Sequence, residues 1–153
     1  MKKIIIAIDS FKGCLTSAEA GKAAEKGIKS INPFCHTSVI PIADGGEGLL
    51  DVLITATKGK YITLSAHGPL MKMAKTHYGL SGNGRTAIIE MAAISGLPLV
   101  PIEQRNPMLT TTFGTGELIK DALNKGCRNF IIGIGGSATN DAGLGMLQAL
   151  GFR

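Results

Sequence analysis

Three short stretches of this sequence gather reactive side chains among residues small enough to leave the backbone accessible. The first is Asp9-Ser10-Phe11-Lys12-Gly13, and the second is Asp44-Gly45-Gly46-Glu47-Gly48. The third runs from Gly133 through Gly135, Gly136 and Ser137 to Asn140 and Asp141. Each sets a carboxylate among hydroxyls or glycines, which suits an anion or a nucleotide. A cation neutralises charge on such a ligand, and bare backbone lets N–H groups approach phosphate oxygens. Lys12 can hold an anionic substrate or a transferring phosphoryl group, or stand solvated at a turn. Asp44 can serve catalysis or only cap a helix, although a cap does not call for two glycines that lose backbone entropy on folding. Gly135 and Gly136 fit a phosphate cradle or a close strand-to-helix turn.

Other chemistries find less support. No glycine-lysine-serine/threonine unit exists, so a Walker A loop is absent. His36, His67 and His77 form no metal-binding spacing and are read as surface or packing residues. Without a G-x-S-x-G elbow, hydrolysis by a triad is disfavoured. Gly133-x-Gly135-x-x-Ala138 nominally satisfies the dinucleotide fingerprint, but the match lies late and the sequence stops before the position, about 20 residues on, where the acidic partner is expected. An NAD-dependent oxidoreductase rests on that pattern alone. Cys14 follows Lys12-Gly13 with no base singled out for it, so an inert thiol is the default. Glu90 ends an apolar run, and Glu117 suits a helix N-terminus by its charge. Thr110, Thr111 and Thr112 fit a polar pocket or a simple extended segment.

The elements that must position these loops follow from periodicity. Residues 4–8 form an apolar, β-branched run of the kind buried on both faces of a parallel sheet. Thr16-x-x-Glu19 is a capping box opening a helix that Asn32-Pro33 ends. Residues 37–42 give a second strand, and Asp44-x-x-Glu47 reads as a second capping box ahead of Leu49, Leu50, Leu53 and Ala56. A third strand covers 61–64, with a turn at His67-Gly68-Pro69. Residues 73–80 and 86–89 flank Asn83-Gly84, a hairpin signal. A short helix over 91–95 ends at Gly96, and a proline-bounded connection spans 98–107. Gly114-Thr115-Gly116 opens a helix closing near Gly126, residues 129–134 form a strand, and a last helix runs from Asn140 or Asp141 to Gly151. The expected fold is α/β: a Rossmann-like parallel sheet with helices on both faces and an added β-hairpin. In such sheets ligands sit beyond the carboxyl ends of the strands, where all three loops fall.

At 153 residues and 44% hydrophobic, the chain supports one core. Its three cysteines are widely spaced, which fits a reducing compartment and hence the cytoplasm. The apolar run near the start is too short for a leader or a membrane span. The net charge of +5 comes from 16 dispersed basic residues against 11 acidic ones, with two tyrosines and five phenylalanines for stacking. This suits anionic metabolites better than nucleic acid.

Taken together, "DSFKG" at 9–13, "PIADGGEG" at 41–48, "GNGRTAIIEMAAISGL" at 82–97, "TTTFGTGELI" at 110–119 and "GIGGSATNDAGLGMLQALG" at 133–151 resemble the bacterial-type, ATP-dependent glycerate kinases, in family order. The resemblance implies transfer of the γ-phosphoryl group of MgATP to a hydroxyl of D-glycerate, giving 2- or 3-phosphoglycerate. It implies Lys12 and Asp44 as catalytic residues and Ser10, Lys12, Arg85 and Asp141 as substrate contacts. Gly45, Gly46, Gly135, Gly136, Ser137 and Asn140 would meet the nucleotide, and Asp44 would hold magnesium. Cys14 stands where the family usually has serine. Family members are more than twice this length, with a second α/β domain across a cleft. Residues 1–153 are therefore read as the N-terminal portion, with 70–112 as an inserted or transition segment. A C-terminal portion or a second copy would complete the unit; without it, a nucleotide-binding fragment that cannot catalyse is the alternative.

Overall fold

The computed structural model describes residues 3–153, so the first two residues of the unit read over 1–153 lie outside the described residues. Strand β1 (Lys3–Ile6) pairs in parallel with β2 (His36–Val39), Lys3 opposite His36 and Ile6 opposite Val39. Helix α1 (Ser17–Ile31) connects them, and its start is fixed by the expected capping box. The Glu19 N–H donates to Thr16 Oγ1 at 3.2 Å, and the Thr16 N–H donates to Glu19 Oε2 at 2.8 Å. Asn32 caps the other end with an N–H to the Ile28 carbonyl. The helix lies close on this strand pair, since a Cβ on Gly21 would run into the Val39 side chain.

A second sheet has the order β3-β4-β5-β6: β3 (Lys60–His67), β4 (Met73–Leu80), β5 (Thr86–Glu90) and β6 (Asn129–Gly133). The first three are antiparallel neighbours, and β5–β6 is parallel with Glu90 opposite Gly133. The β4–β5 hairpin turns where Asn83-Gly84 placed it: Gly84 takes φ 70°, and the Ser81 N–H reaches the Thr86 carbonyl at 3.0 Å. Helices α2 (Leu49–Thr57) and α4 (Phe113–Asn124) cover opposite faces. The pleat of β5 shows this directly. Ala87 and Ile89 join Tyr78, Leu118 and Ala122 in the larger core, whereas Ile88 between them meets Leu50 and Ile54 of α2. Ile88, Ile89 and Leu118 are fully buried, each worth about 1.5–3 kcal/mol of apolar transfer. The short helix α3 (Ala92–Ser95), two 3₁₀ turns at Leu97–Leu99 and Ile102–Gln104, and α5 (Leu144–Leu150) complete the chain. Helix α5 packs on α4 through Gly116, where a Cβ would sit 2.7 Å from that of Ala149.

The α/β class, the two-sided helix cover and the added hairpin agree with the sequence. Three details differ. The parallel pairing is divided between two sheets, β1–β2 and β5–β6, because an antiparallel meander comes between them in the chain. Strand β1 is not buried on both faces: Ile6 is buried but Ile5 is 60% exposed, since β1 pairs only with β2 among the described residues. Helix α5 starts at Leu144, later than the expected Asn140 or Asp141, behind Gly143 in the left-handed region at φ 78°. No helix of the described residues is long and apolar enough to cross a membrane.

Candidate functional site

The carboxyl ends of the parallel strands converge. Ser17, buried at the start of α1, ties the two leading loops together. Its Oγ–H donates to the Ile8 carbonyl at 2.6 Å and accepts the Ile42 N–H at 3.0 Å. Between these segments opens a cleft of about 460 Å³ lined by Ser10, Phe11, Gly13 and Cys14 on one side and by Glu47, Gly48 and Asp51 on the other. His77 of β4 and Glu90 at the end of β5 line it too. Lys12 is exposed in the first turn between Phe11 and Gly13, which line the cleft, and Asp44 is exposed in the second, where the nearest lining residues in sequence are Ile42 and Glu47; neither Lys12 nor Asp44 is itself among the lining residues.

The second and third loops meet through glycine backbone. The Gly135 N–H donates to the Gly45 carbonyl at 3.1 Å, and a Cβ on Gly135 would lie 2.6 Å from the Gly46 Cα. Close approach therefore accounts for Gly135, whereas a Cβ on Gly45 would meet nothing within 4 Å and its φ of 99° is what calls for glycine. Much of the third loop's backbone is also engaged within the protein. The Ala138 N–H donates to Ser95, the Asn140 N–H to Pro107, the Thr139 N–H to Ser137 Oγ and the Asp141 N–H to Thr139 Oγ1. Gly136 takes φ 75° and its carbonyl accepts the Leu97 N–H. The Ser137 hydroxyl folds back on Thr139 at 3.2 Å, while Asn140 is exposed. Ten residues separate Gly133 from α5, so the helix N-terminus that a dinucleotide fingerprint requires directly after its glycines is elsewhere.

Asp141 and Arg85, both expected at the substrate, are placed differently. Asp141 Oδ2 accepts the N–H and the hydroxyl of Thr112, each at 2.8 Å, and the Gly145 N–H at 3.1 Å, while Oδ1 accepts the Gly143 N–H. The carboxylate thereby clamps the starts of α4 and α5 together. Burial pushes it up, but these hydrogen bonds outweigh burial and hold it below its ordinary 3.8. Arg85 sits exposed in the hairpin, its N–H donating to Asn83 Oδ1, and is not among the cleft-lining residues. Thr110 and Thr112 are buried in the same clamp, Thr110 donating to the Ala138 carbonyl at 2.8 Å. Glu117 does more than favour a helix start: its oxygens accept the His67 N–H at 2.7 Å and meet His67 Nδ1 at 2.9 Å.

The expected capping box of Asp44 and Glu47 is corrected. Asp44 Oδ1 accepts the Gly46 N–H at 3.0 Å in a tight turn of its own. The N-cap of α2 is instead Gly48 at φ 87°, with no side-chain cap. The acceptor comes from β5: Glu90 Oε2 takes the Leu50 N–H at 3.2 Å. Burial pushes the Glu90 carboxyl above its ordinary 4.5, and Asp51 and Glu47 push the same way, while the Leu50 and Gly48 N–H groups offset part of this. Glu90, Asp51 and His77 are the cleft residues that sequence reasoning missed. Only Glu90 carried a usable signal, its place at the carboxyl end of an apolar run. Tyr61 donates to Asp51 and stacks edge-on to His77 at 5.5 Å, and the Asp51 hydrogen bond pushes its phenol up to about 12.

Compared with known proteins, residues 4–153 match the model of the glycerate kinase family. Curated relatives named glycerate kinase are 57% identical in Haemophilus influenzae and 56% identical in Bacillus subtilis, each over 151 residues. One from Escherichia coli K12, named glycerate 2-kinase, is 53% identical. Each alignment covers 99% of this chain and 40% of the relative, so the chain spans about two fifths of the length of these relatives. A crystal structure from Salmonella typhimurium LT2, assigned to glycerate kinase 2, superposes with a TM-score of 0.82 at 50% identity, over 99% of this chain and 41% of that one.

Proposed function

The chain belongs to the glycerate kinase family, and from that membership we propose that it carries part of a site transferring the γ-phosphoryl group of ATP to a hydroxyl of D-glycerate. One observation supports this most: the "DSFKG" and "ADGGEG" turns, which follow parallel strands, flank one cleft and are tied by Ser17. Phosphoryl transfer asks mainly for in-line positioning and charge neutralisation, which is what such a rim supplies. Lys12 binds the glycerate carboxylate or the transferring phosphoryl group, with the Ser10 hydroxyl beside it. Asp44 orients the attacking hydroxyl. Gly45, Gly46, Gly135 and Gly136, with Ser137 and Asn140, form the nucleotide side of the rim. Arg85 and Asp141 are assigned as further substrate contacts, Asp141 in addition to clamping the starts of α4 and α5. Of the two products, the name of the Escherichia coli relative favours 2-phosphoglycerate.

Magnesium takes oxygen ligands and is often held by one or two carboxylates together with substrate phosphates. The exposed Asp44 carboxylate fits that donor type. Among the described residues no group of three or more His, Cys, Asp or Glu would hold the ion by protein alone. When bound, the ion neutralises phosphate oxygens during transfer. Segment 70–112 is proposed as the transition toward a second domain, and the free thiols of exposed Cys14 and buried Cys127 support a cytoplasmic setting.

The test is ADP formation by the purified chain with MgATP, with and without D-glycerate. Glycerate-dependent turnover that falls at least about a hundredfold in Lys12→Ala and Asp44→Asn, with the fold unchanged, supports the assignment. ATP binding without turnover supports the second reading, a nucleotide-binding portion, which the two-fifths coverage of the relatives favours.

A further inference from the structure

The loop carrying Asp44 is held from two directions. On one side lies the backbone of β6 and the turn after it: a Cβ on Gly133 would meet the Gly45 carbonyl and the Leu49 side chain, and Gly135 abuts Gly46. On the other side, α2 begins with Gly48 and brings no side chain of its own to its exposed N–H groups. Four such groups at a helix start lack partners within the helix. Asp44 does not serve them, because its Oδ1 accepts the Gly46 N–H. The Leu50 N–H is instead accepted by Glu90, which sits opposite Gly133 in the β5–β6 register. One rim of the sheet therefore fixes both flanks of the 44–48 loop.

We propose that Glu90 is a positioning residue for the site, holding the 44–48 loop and Asp44 in place by accepting backbone N–H groups at the start of α2. The role rests on the reading of Asp44 given above. Its setting disfavours the ionised form. Glu90 is faced by Glu47 and Asp51 from the loop and first turn of α2, by His77 from β4 and by Tyr61 from β3, with Cys14 and Glu19 across the cleft. Burial and two like charges raise its carboxyl, so the folded state binds its proton more readily than the unfolded state does. Stability therefore declines as pH rises from 4.5 through the raised folded value, where the ionised form takes over. A neutral side chain would relieve that cost and weaken the hold on the loop.

The experiment follows the Leu50 and Gly48 amides by ¹⁵N NMR from pH 3 to 8 in the wild-type chain, Glu90→Gln, Glu90→Asp and Glu90→Ala. In the wild type both resonances should move with one titration whose midpoint lies above the ordinary 4.5 of a glutamate. Glu90→Gln should abolish that titration while leaving the melting temperature at pH 7 unchanged or higher. Glu90→Ala should speed Leu50 exchange roughly tenfold, and Glu90→Asp should restore part of the protection. Where the chain turns over glycerate, the acid limb of kcat/KM should shift in Glu90→Gln and return toward wild type in Glu90→Asp. Amides that ignore the Glu90 titration, or Leu50 exchange unchanged in Glu90→Ala, overturn the proposal. If the wild-type chain forms no glycerate-dependent ADP, the second reading of the site, a nucleotide-binding portion, takes over, and the amide titration still decides the positioning role.

Discussion

Replacing Gly135 with alanine adds one methyl group where two loop backbones touch. Its carbon would lie 2.6 Å from the Gly46 Cα, 3.0 Å from the Gly46 nitrogen and 3.3 Å from the Gly45 oxygen. Favourable carbon–carbon contact begins near 3.5 Å, so the loops must separate by about 1 Å. No flexible side chain is there to swing aside. The shift breaks the Gly135 N–H bond to the Gly45 carbonyl, worth about 1 kcal/mol. Overpacking adds about 1–3 kcal/mol, so the expected loss is about 2–4 kcal/mol, or roughly 4–16 °C in melting temperature for a chain of this size. Urea unfolding followed by circular dichroism measures it, and glycerate-dependent ADP formation reads the effect on Asp44, which is carried beside Gly45. Gly27→Ala is the control: its Cβ meets nothing within 4 Å in α1, so it should stabilise by about 0.5–1 kcal/mol. If Gly135→Ala unfolds within about 0.5 kcal/mol of the wild type, as an ordinary surface substitution would, Gly135 does not serve close approach and the coupling of the two loops is refuted.

Asp141→Asn should cost about 1–3 kcal/mol at pH 7, because an amide cannot accept all the N–H and O–H groups that converge on the carboxylate. The carboxyl is held below 3.8, so its contribution is fully present above that value and is lost as pH falls through the lowered folded value. The gap between variant and wild type should therefore close on acidification; a gap independent of pH would contradict the clamp. Phenolate absorbance should show neither of the two tyrosines ionising near pH 10, since Tyr61 is pushed up to about 12 by its Asp51 hydrogen bond and Tyr78 higher still by burial. Asp51→Ala should return one tyrosine, and only one, toward its ordinary value. Thr16→Ala removes half of the α1 capping box and should lower stability by about 1 kcal/mol in thermal melts.

Local signals carried much of the fold. The Thr16 box needed residues three apart, the hairpin needed Asn83-Gly84 between apolar runs, and both lie where the sequence placed them. The Asp44 and Glu47 box failed although its spacing was right. Gly48 adopts a left-handed cap and a residue forty positions away supplies the acceptor, a competition that local pattern cannot reveal. The burial of β1 was misjudged because an apolar run reports what a strand can bury, whereas exposure depends on which strands become its neighbours. The glycine, serine and carboxylate loops were legible as a candidate site. Their grouping was not, since it depends on Ser17 bridging Ile8 and Ile42 and on Gly45–Gly135 contact, both long-range. Asp141 has the composition of a ligand residue and the geometry of a clamp, a distinction that only its partners make.

The larger core draws all its buried members from residues between Ala66 and Cys127. The smaller one adds Leu50, Ile54 and Ile88, so β1, α1 and β2 belong to neither. Cooperativity is therefore expected to be uneven: the four-stranded slab should be the unit that melts last, and the leading βαβ segment should open at lower free energy by sub-global fluctuation. Lys12 belongs to that looser segment, while Glu90 and the Gly133 turn belong to the slab. A ligand touching both would draw part of its selectivity from quenching this motion, and its binding would be registered first in the amides of β1 and β2, outside both core clusters.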